Sequence, residues 1–200
     1  MIFFFLFTTR ELLEKEKYDG VIVAIGADPL VPELPGIRLP HVHWAPEADA
    51  GEKPCGQRVV IVGAGAVGLE AAIDLKKAGK DVTVIEMLGS YASLQKSAHG
   101  GAAEFLALVE ELKLDVRLNH KLLEVTPEAV LCENTATGEK LSIPADTVLL
   151  AMGVRARWAE ADELRRACPE TSSFLVGDCL YVGSNVSAAT SGALSAAGYM

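Results

Sequence analysis

An α/β fold built on a parallel sheet is predicted by three observations. Apolar runs that read as fully buried strands, such as Val59-Val60-Ile61-Val62 and residues 146–152, alternate with segments of helical periodicity such as residues 102–112. Strands alternating with helices call for right-handed crossovers, which make neighbouring strands parallel. Alanine and glycine are plentiful, and aromatic residues make up only 6% of the chain, a balance suited to helices lying close on a sheet. Half of the 200 residues are hydrophobic, enough for one good core or for one domain with pieces of another.

Taken in order, residues 2–7 read as a buried strand. They lack a basic flank and a cleavage site and are too short to span a bilayer. So abrupt an apolar start suggests a chain that begins inside a domain. A short helix is expected over 11–17, followed by the strand Tyr18-Asp19-Gly20-Val21-Ile22-Val23-Ala24-Ile25-Gly26, ended by its glycine. Pro29, Pro32, Pro35 and Pro40 then make an extended connection without regular structure, and residues 51–56 a linker. From Gln57 the pattern is strand 59–62, helix 67–78 closed by Gly79, strand 81–87 and the amphipathic helix 102–112. Short alternating pieces follow at 116–118, 122–125, 129–132 and 141–143, read as a meander, before the apolar strand 146–152. The last stretch begins with a charged helix at 158–168 and continues with strand 173–176, ended by Gly177-Asp178. A small-residue helix over 185–199 completes it.

Charge excludes two partner classes. A net charge of -9 leaves no basic stripe to neutralise nucleic-acid phosphates or dock on anionic membranes. Cys55, Cys132, Cys168 and Cys179 are scattered without CxxC spacing, so they are expected to be thiols in a reducing, cytoplasmic setting. His41, His43, His99 and His120 are isolated, and neither a metal ligand nor a side-chain nucleophile is expected.

The chemistry sits in the run Gly63-Ala64-Gly65-Ala66-Val67-Gly68, placed directly after an apolar strand and directly before a helix. Gly63 permits the tight turn, Gly65 removes a side chain that would strike a pyrophosphate, and Gly68 lets helix and strand lie close. Amides and dipole at the helix start favour the diphosphate of a dinucleotide. Glu86, ending the next strand, is the carboxylate expected to bind the adenine-ribose hydroxyls, with Met87 beside it. It would repel the extra phosphate of NADP, which favours NADH. Glu70 is an acid near the helix N-terminus. Ala24-Ile25-Gly26 and Gly177-Asp178 each end an apolar strand with glycine, where α/β sheets present ligands, and together they suggest one sheet interrupted by an inserted domain.

The ordered segments YDGVIVAIGADPLVPELPGI, RVVIVGAGAVGLEAAIDLKKAGKDVTVIEM, ADTVLLAMGVRAR and FLVGDC resemble the pyridine-nucleotide (disulfide) oxidoreductases. Within these they are most similar to the C-terminal FAD/NAD(P)-binding part of the NADH:flavin oxidoreductase and 2,4-dienoyl-CoA reductase group. The resemblance implies a Rossmann-like three-layer NAD(P)-binding domain over 57–157. This would be nested within a partial FAD-binding domain made of 1–50 and 158–200. It implies that Glu70 and the loop Ala151-Met152-Gly153 border the nicotinamide. Gly177 and Asp178 would meet the flavin ribityl and diphosphate region, and Ala24, Ile25 and Gly26 would form the crossover between domains. Ile25 stands where the family has threonine and Ala156 where proline is usual, and the family's first glycine fingerprint, for FAD, is missing. The implied function is NADH-to-flavin hydride transfer with an incomplete FAD site. A non-catalytic NAD-binding module and a disulfide reductase relative stand as alternatives, and the expected partners are nucleotide cofactors, with a homo-oligomer compatible.

Overall fold

A computed structural model describes residues 10–15, 18–97, 101–167, 172–183 and 186–199; the strand expected over 2–7 lies outside the described residues, as do His99 and Cys168. The chain divides into two compact units: a split unit from Met1–Pro29 and Val154–Met200, and an interrupting unit, Leu30–Gly153. Helix α1 (Arg10–Lys15) and strands β1 (Gly20–Val23) and β2 (Ala27–Pro29) open the split unit. The interrupting unit then runs β3 (Val42–Trp44), α2 (Ala45–Asp49), β4 (Arg58–Val62), α3 (Ala66–Lys77), β5 (Asp81–Ile85), α4 (Ala92–Ser97) and α5 (Ala102–Glu111). It closes with β6 (Asp115–Arg117), β7 (His120–Val125), β8 (Ala129–Asn134), β9 (Lys140–Pro144) and β10 (Thr147–Leu150). The split unit resumes with β11 (Val154–Ala156), α6 (Trp158–Arg166), β12 (Ser172–Leu175), a 3-10 turn (Gly177–Cys179) and α7 (Val186–Gly198).

In the interrupting unit five strands pair in parallel in the order β3-β10-β4-β5-β6. The order turns back at β4: β5 and β6 follow on one side of it, and β10 and β3 lie on the other. The two faces of the sheet are filled differently. Val59 and Ile61 of β4, Val82 and Val84 of β5 and Leu149 of β10 pack with Leu69, Ala72 and Ile73 of α3 and Val109 of α5. Val60, Val62, Ile85, Val148 and Leu150 pack with Leu122, Val125, Val130, Cys132 and Ile143 of the antiparallel trio β7-β8-β9. Helices, parallel sheet and meander are therefore three layers. A strand covered on both faces must read as the continuous apolar run seen at 59–62. Full burial of each such side chain contributes about 1.5–3 kcal/mol.

The helix ends show why the strands follow where they do. After α3, Lys80 N–H donates to Leu75 O and Gly79 N–H to Lys76 O, with Gly79 in the left-handed position. Helix α5 ends by the same pattern, Leu114 N–H to Val109 O and Lys113 N–H to Glu110 O, with Lys113 at φ 49° in glycine's place. The proline-rich connection is more regular than expected: β2 pairs antiparallel with β11, and residues 30–50 contribute β3 and α2 to the interrupting unit. In the split unit β1 pairs in parallel with β12. No helix among the described residues is long and apolar enough to cross a membrane.

The N-terminal edge of the sheet is tied by charge. Asp146 Oδ2 accepts the Arg58 backbone N–H at 2.8 Å, and Oδ1 accepts Nε at 3.1 Å and Nη2 at 2.5 Å. These bonds from Arg58 lower the Asp146 pKa from 3.8 to about 2. A carboxyl depressed by folding adds stability above its unfolded value, and this is lost as pH falls through the folded one. Asp146→Asn is therefore expected to flatten the rise in urea midpoint between about pH 2 and pH 4, leaving the profile above about pH 5 parallel to wild type. An unchanged acid limb in the variant would show that the pair contributes nothing to folding.

Candidate functional site

The carboxyl ends of β4 and β10 lie side by side where the strand order reverses, the place at which open α/β sheets hold ligands. Two loops leave this edge together. From β4 comes the glycine turn, where Gly63, at φ +111°, donates its N–H to Ile85 O at 2.8 Å. A Cβ on Gly63 would lie 2.4 Å from Ala151 O, so both its backbone angle and its neighbour demand glycine. Gly68 is closer still: its Cβ would stand 2.0 Å from Gly63 O and 3.1 Å from Ala151 Cβ. The first turn of α3 is thereby held against the end of β4. From β10 comes Ala151-Met152-Gly153, continuing the pairing through Ala151 N–H to Val62 O at 2.9 Å.

Gly65 caps α3 with extended backbone, φ -77° and ψ -177°, and the helix begins at Ala66. A helix start of this kind, approached by glycine, is the arrangement that suits an anion. Ala64 is fully buried beneath the turn, while Val67 and Met152 present exposed apolar surface at its mouth, as does Met87 beyond β5.

Glu86 is only 6% exposed. Its Oε2 accepts the Ala64 N–H and its Oε1 the Leu88 N–H, each at 2.9 Å. Spacing pointed to this carboxylate, but nothing in spacing indicates that the protein itself uses both oxygens. Glu70 is the fifth residue of α3, past the first turn, and its side chain is exposed. The helix dipole, whose effect fades within the first turn, favours an acid at this position only weakly.

In the split unit, β1 and β12 run in register with Val23 opposite Leu175, and Val176 N–H donates to Val23 O at 3.0 Å. Ala24-Ile25-Gly26 and Gly177-Asp178 therefore leave the same edge of this pair. Two residues not anticipated from the sequence hold that edge. Cys179, fully buried, donates its thiol to Val176 O at 3.1 Å, with Val23 O at 3.4 Å. Arg157 donates Nη1 to Ile25 O at 3.4 Å and its N–H to Gly26 O at 3.3 Å. Its guanidinium also pairs with Glu160 and lies 3.7 Å from Asp28 Oδ1, an ion pair without a hydrogen bond. Both residues act on main-chain carbonyls, which leave no signature in residue type. Among the described residues no group of three or more His, Cys, Asp or Glu could hold a metal ion.

This geometry suits a diphosphate flanked by a hydroxyl-bearing sugar. The profile of the family "Pyridine nucleotide-disulphide oxidoreductase" matches residues 6–191. Bilirubin reductase of Mediterraneibacter gnavus is 32% identical over 84% of this chain and 25% of its own length. Nitric oxide reductase FlRd-NAD(+) reductase of Klebsiella pneumoniae subsp. pneumoniae is 31% identical over 70% of this chain and 37% of its own. Among solved structures, 2-naphthoyl-CoA reductase in complex with 2-naphthoyl-CoA superposes with a TM-score of 0.78 at 25% identity, covering 92% of this chain and 27% of that one. The chain thus spans 25% to 37% of the length of these proteins.

Proposed function

The chain belongs to the pyridine nucleotide-disulphide oxidoreductase family, and from that premise we propose that it is the NADH-binding portion of a FAD-dependent oxidoreductase. The observation that carries the reading is the glycine turn lying against Ala151 at the strand-order reversal, with the buried Glu86 carboxylate at the end of the next strand. Residues 63–68 and the first turn of α3 receive the diphosphate, and Glu86 takes the adenine-ribose hydroxyls with Met87 alongside. Ala151, Met152, Gly153 and Glu70 border the nicotinamide half. In the split unit, Gly177 and Asp178 serve the flavin's ribityl and diphosphate region, and Ala24, Ile25 and Gly26 form the crossover. The residues present fit a dinucleotide: glycine where a side chain has no room, the start of α3 for the phosphates and a carboxylate for the sugar. Hydride transfer from nicotinamide to flavin is the chemistry the bound cofactors supply, and the polypeptide binds and orients. Relatives named for acceptors as different as bilirubin and a nitric oxide reductase share this stretch, which supports a common NADH-side role over a common acceptor.

Titration of the purified chain with both nucleotides tests the reading. NADH is expected to bind at least about tenfold more tightly than NADPH, about 1.4 kcal/mol. NADPH binding as tight or tighter would overturn the cofactor preference, and binding of neither would overturn the function. A flavin absorbance band in the same sample supports the catalytic reading, whereas a colourless NADH-binding protein supports a non-catalytic nucleotide module.

A further inference from the structure

Two consecutive amides of the glycine turn are gripped by two consecutive residues of the neighbouring strand segment. Gly63 N–H donates to the Ile85 carbonyl at 2.8 Å, and Ala64 N–H donates to Glu86 Oε2 at 2.9 Å. The second carboxylate oxygen accepts the Leu88 N–H at 2.9 Å, which fixes the chain just beyond β5. Ala64 is fully buried and Glu86 nearly so, and the Glu86 carbonyl in turn accepts the His120 N–H at 2.8 Å. Bonds from backbone N–H to a carboxylate are about twice as strong as neutral ones, and a buried donor left unmet is expensive.

We propose that Glu86 is a positioning residue as well as a nucleotide contact: its carboxylate latches the glycine turn to the end of β5, so turn order and the choice between NADH and NADPH depend on one side chain. The choice of nucleotide rests on the function proposed above; the latch does not. A carboxylate has about four acceptor positions, so two backbone donors leave capacity for two ribose hydroxyls without releasing the turn. Glutamine cannot replace it, because its amide offers one acceptor oxygen and places an NH₂ donor against the other backbone N–H.

The latch predicts something a mere ribose contact does not. For a glutamate that only touched the ribose, removing the charge would relieve repulsion toward the NADP 2′-phosphate, and NADPH would bind as well or better. For a latch, the same change loosens the turn that receives the diphosphate common to both nucleotides. Glu86→Gln in the full chain, held at a temperature where circular dichroism shows it folded, separates the two. Amide exchange in the unliganded protein is expected to be about tenfold faster or more at Ala64 and Leu88, with Val60 and Val84 unchanged. NADH affinity is expected to fall about tenfold, and NADPH affinity by a smaller factor of about threefold. NADPH binding unchanged or tightened, or unaltered exchange at Ala64, would overturn the latch. Equal losses for the two nucleotides would overturn the part in cofactor choice. If the variant does not fold, exchange in the wild-type chain decides: an Ala64 amide protected about a hundredfold over an unstructured peptide is expected, and an unprotected one sinks the latch. A wild-type chain that binds neither nucleotide would overturn the proposed function, and exchange at Ala64 would still decide the latch.

Discussion

Valine in place of Gly65 is expected to weaken NADH binding about a hundredfold or more, about 2.8 kcal/mol, while the chain stays folded. At φ -77° and ψ -177° Gly65 already occupies extended backbone open to any residue, so valine brings no backbone strain. The helix loses only part of a weak glycine cap, about 1 kcal/mol or less. On the proposed function, what valine adds is a side chain between the diphosphate and the first turn of α3, the approach that glycine would keep open. Titration calorimetry beside a thermal melt separates the two effects. Undiminished NADH affinity would mean that the diphosphate does not lie on this turn.

Gly68→Ala is expected to do the opposite, harming the fold first. Two effects compete. Alanine is the better helix former by about 0.5–1 kcal/mol, which alone would stabilise α3. Its Cβ, however, would sit 2.0 Å from Gly63 O and 3.1 Å from Ala151 Cβ, and the nearer contact is with backbone that cannot swing aside. Overpacking of a well-filled interior costs about 1–3 kcal/mol and occasionally more, and a clash this deep belongs at the upper end. A net loss of about 2 kcal/mol or more is expected, seen as a lowered urea midpoint at unchanged slope. A variant as stable as wild type would show that α3 does not lie this close to the turn.

These two glycines sit three residues apart in one motif and fail in different ways, a distinction the motif alone does not contain. What was readable in the sequence was the periodic part. Val59, Val60, Ile61 and Val62 had to be a strand covered on both faces, and the glycines after it had to begin a helix. Strand β3 was not readable: Val42, His43 and Trp44 are half-buried, carry no apolar run, and are a strand only because β10 lies alongside. Helix α4, six residues from Ala92 to Ser97, is too short for periodicity to register. At the candidate site, residue spacing marked Glu86 as a sugar-binding carboxylate. Its bonds to the Ala64 and Leu88 amides exist only once β5 stands beside the turn. The bonds by which Arg157 and Cys179 hold the β1–β12 edge escaped notice for the same reason, since they end on carbonyl oxygens that every residue carries.

Strands β1 and β12 pair in register although about 150 residues of chain separate them. Closing so long a flexible loop for the sake of four residue pairs is entropically unfavourable. The bond from Leu30 N–H to Gly153 O, at 3.0 Å, changes that count, because it brings the two ends of the interrupting unit together. Once residues 30–153 have folded, the chain left between β1 and β12 shrinks to residues 24–29 and 154–171, and part of that is already tied by the pairing of β2 with β11. Loop closure therefore favours an order of assembly in which residues 30–153, whose contacts are largely their own, fold before the flanking pair forms. A lesion that slows the interrupting unit, such as one at Gly68, would then be expected to delay the split unit too.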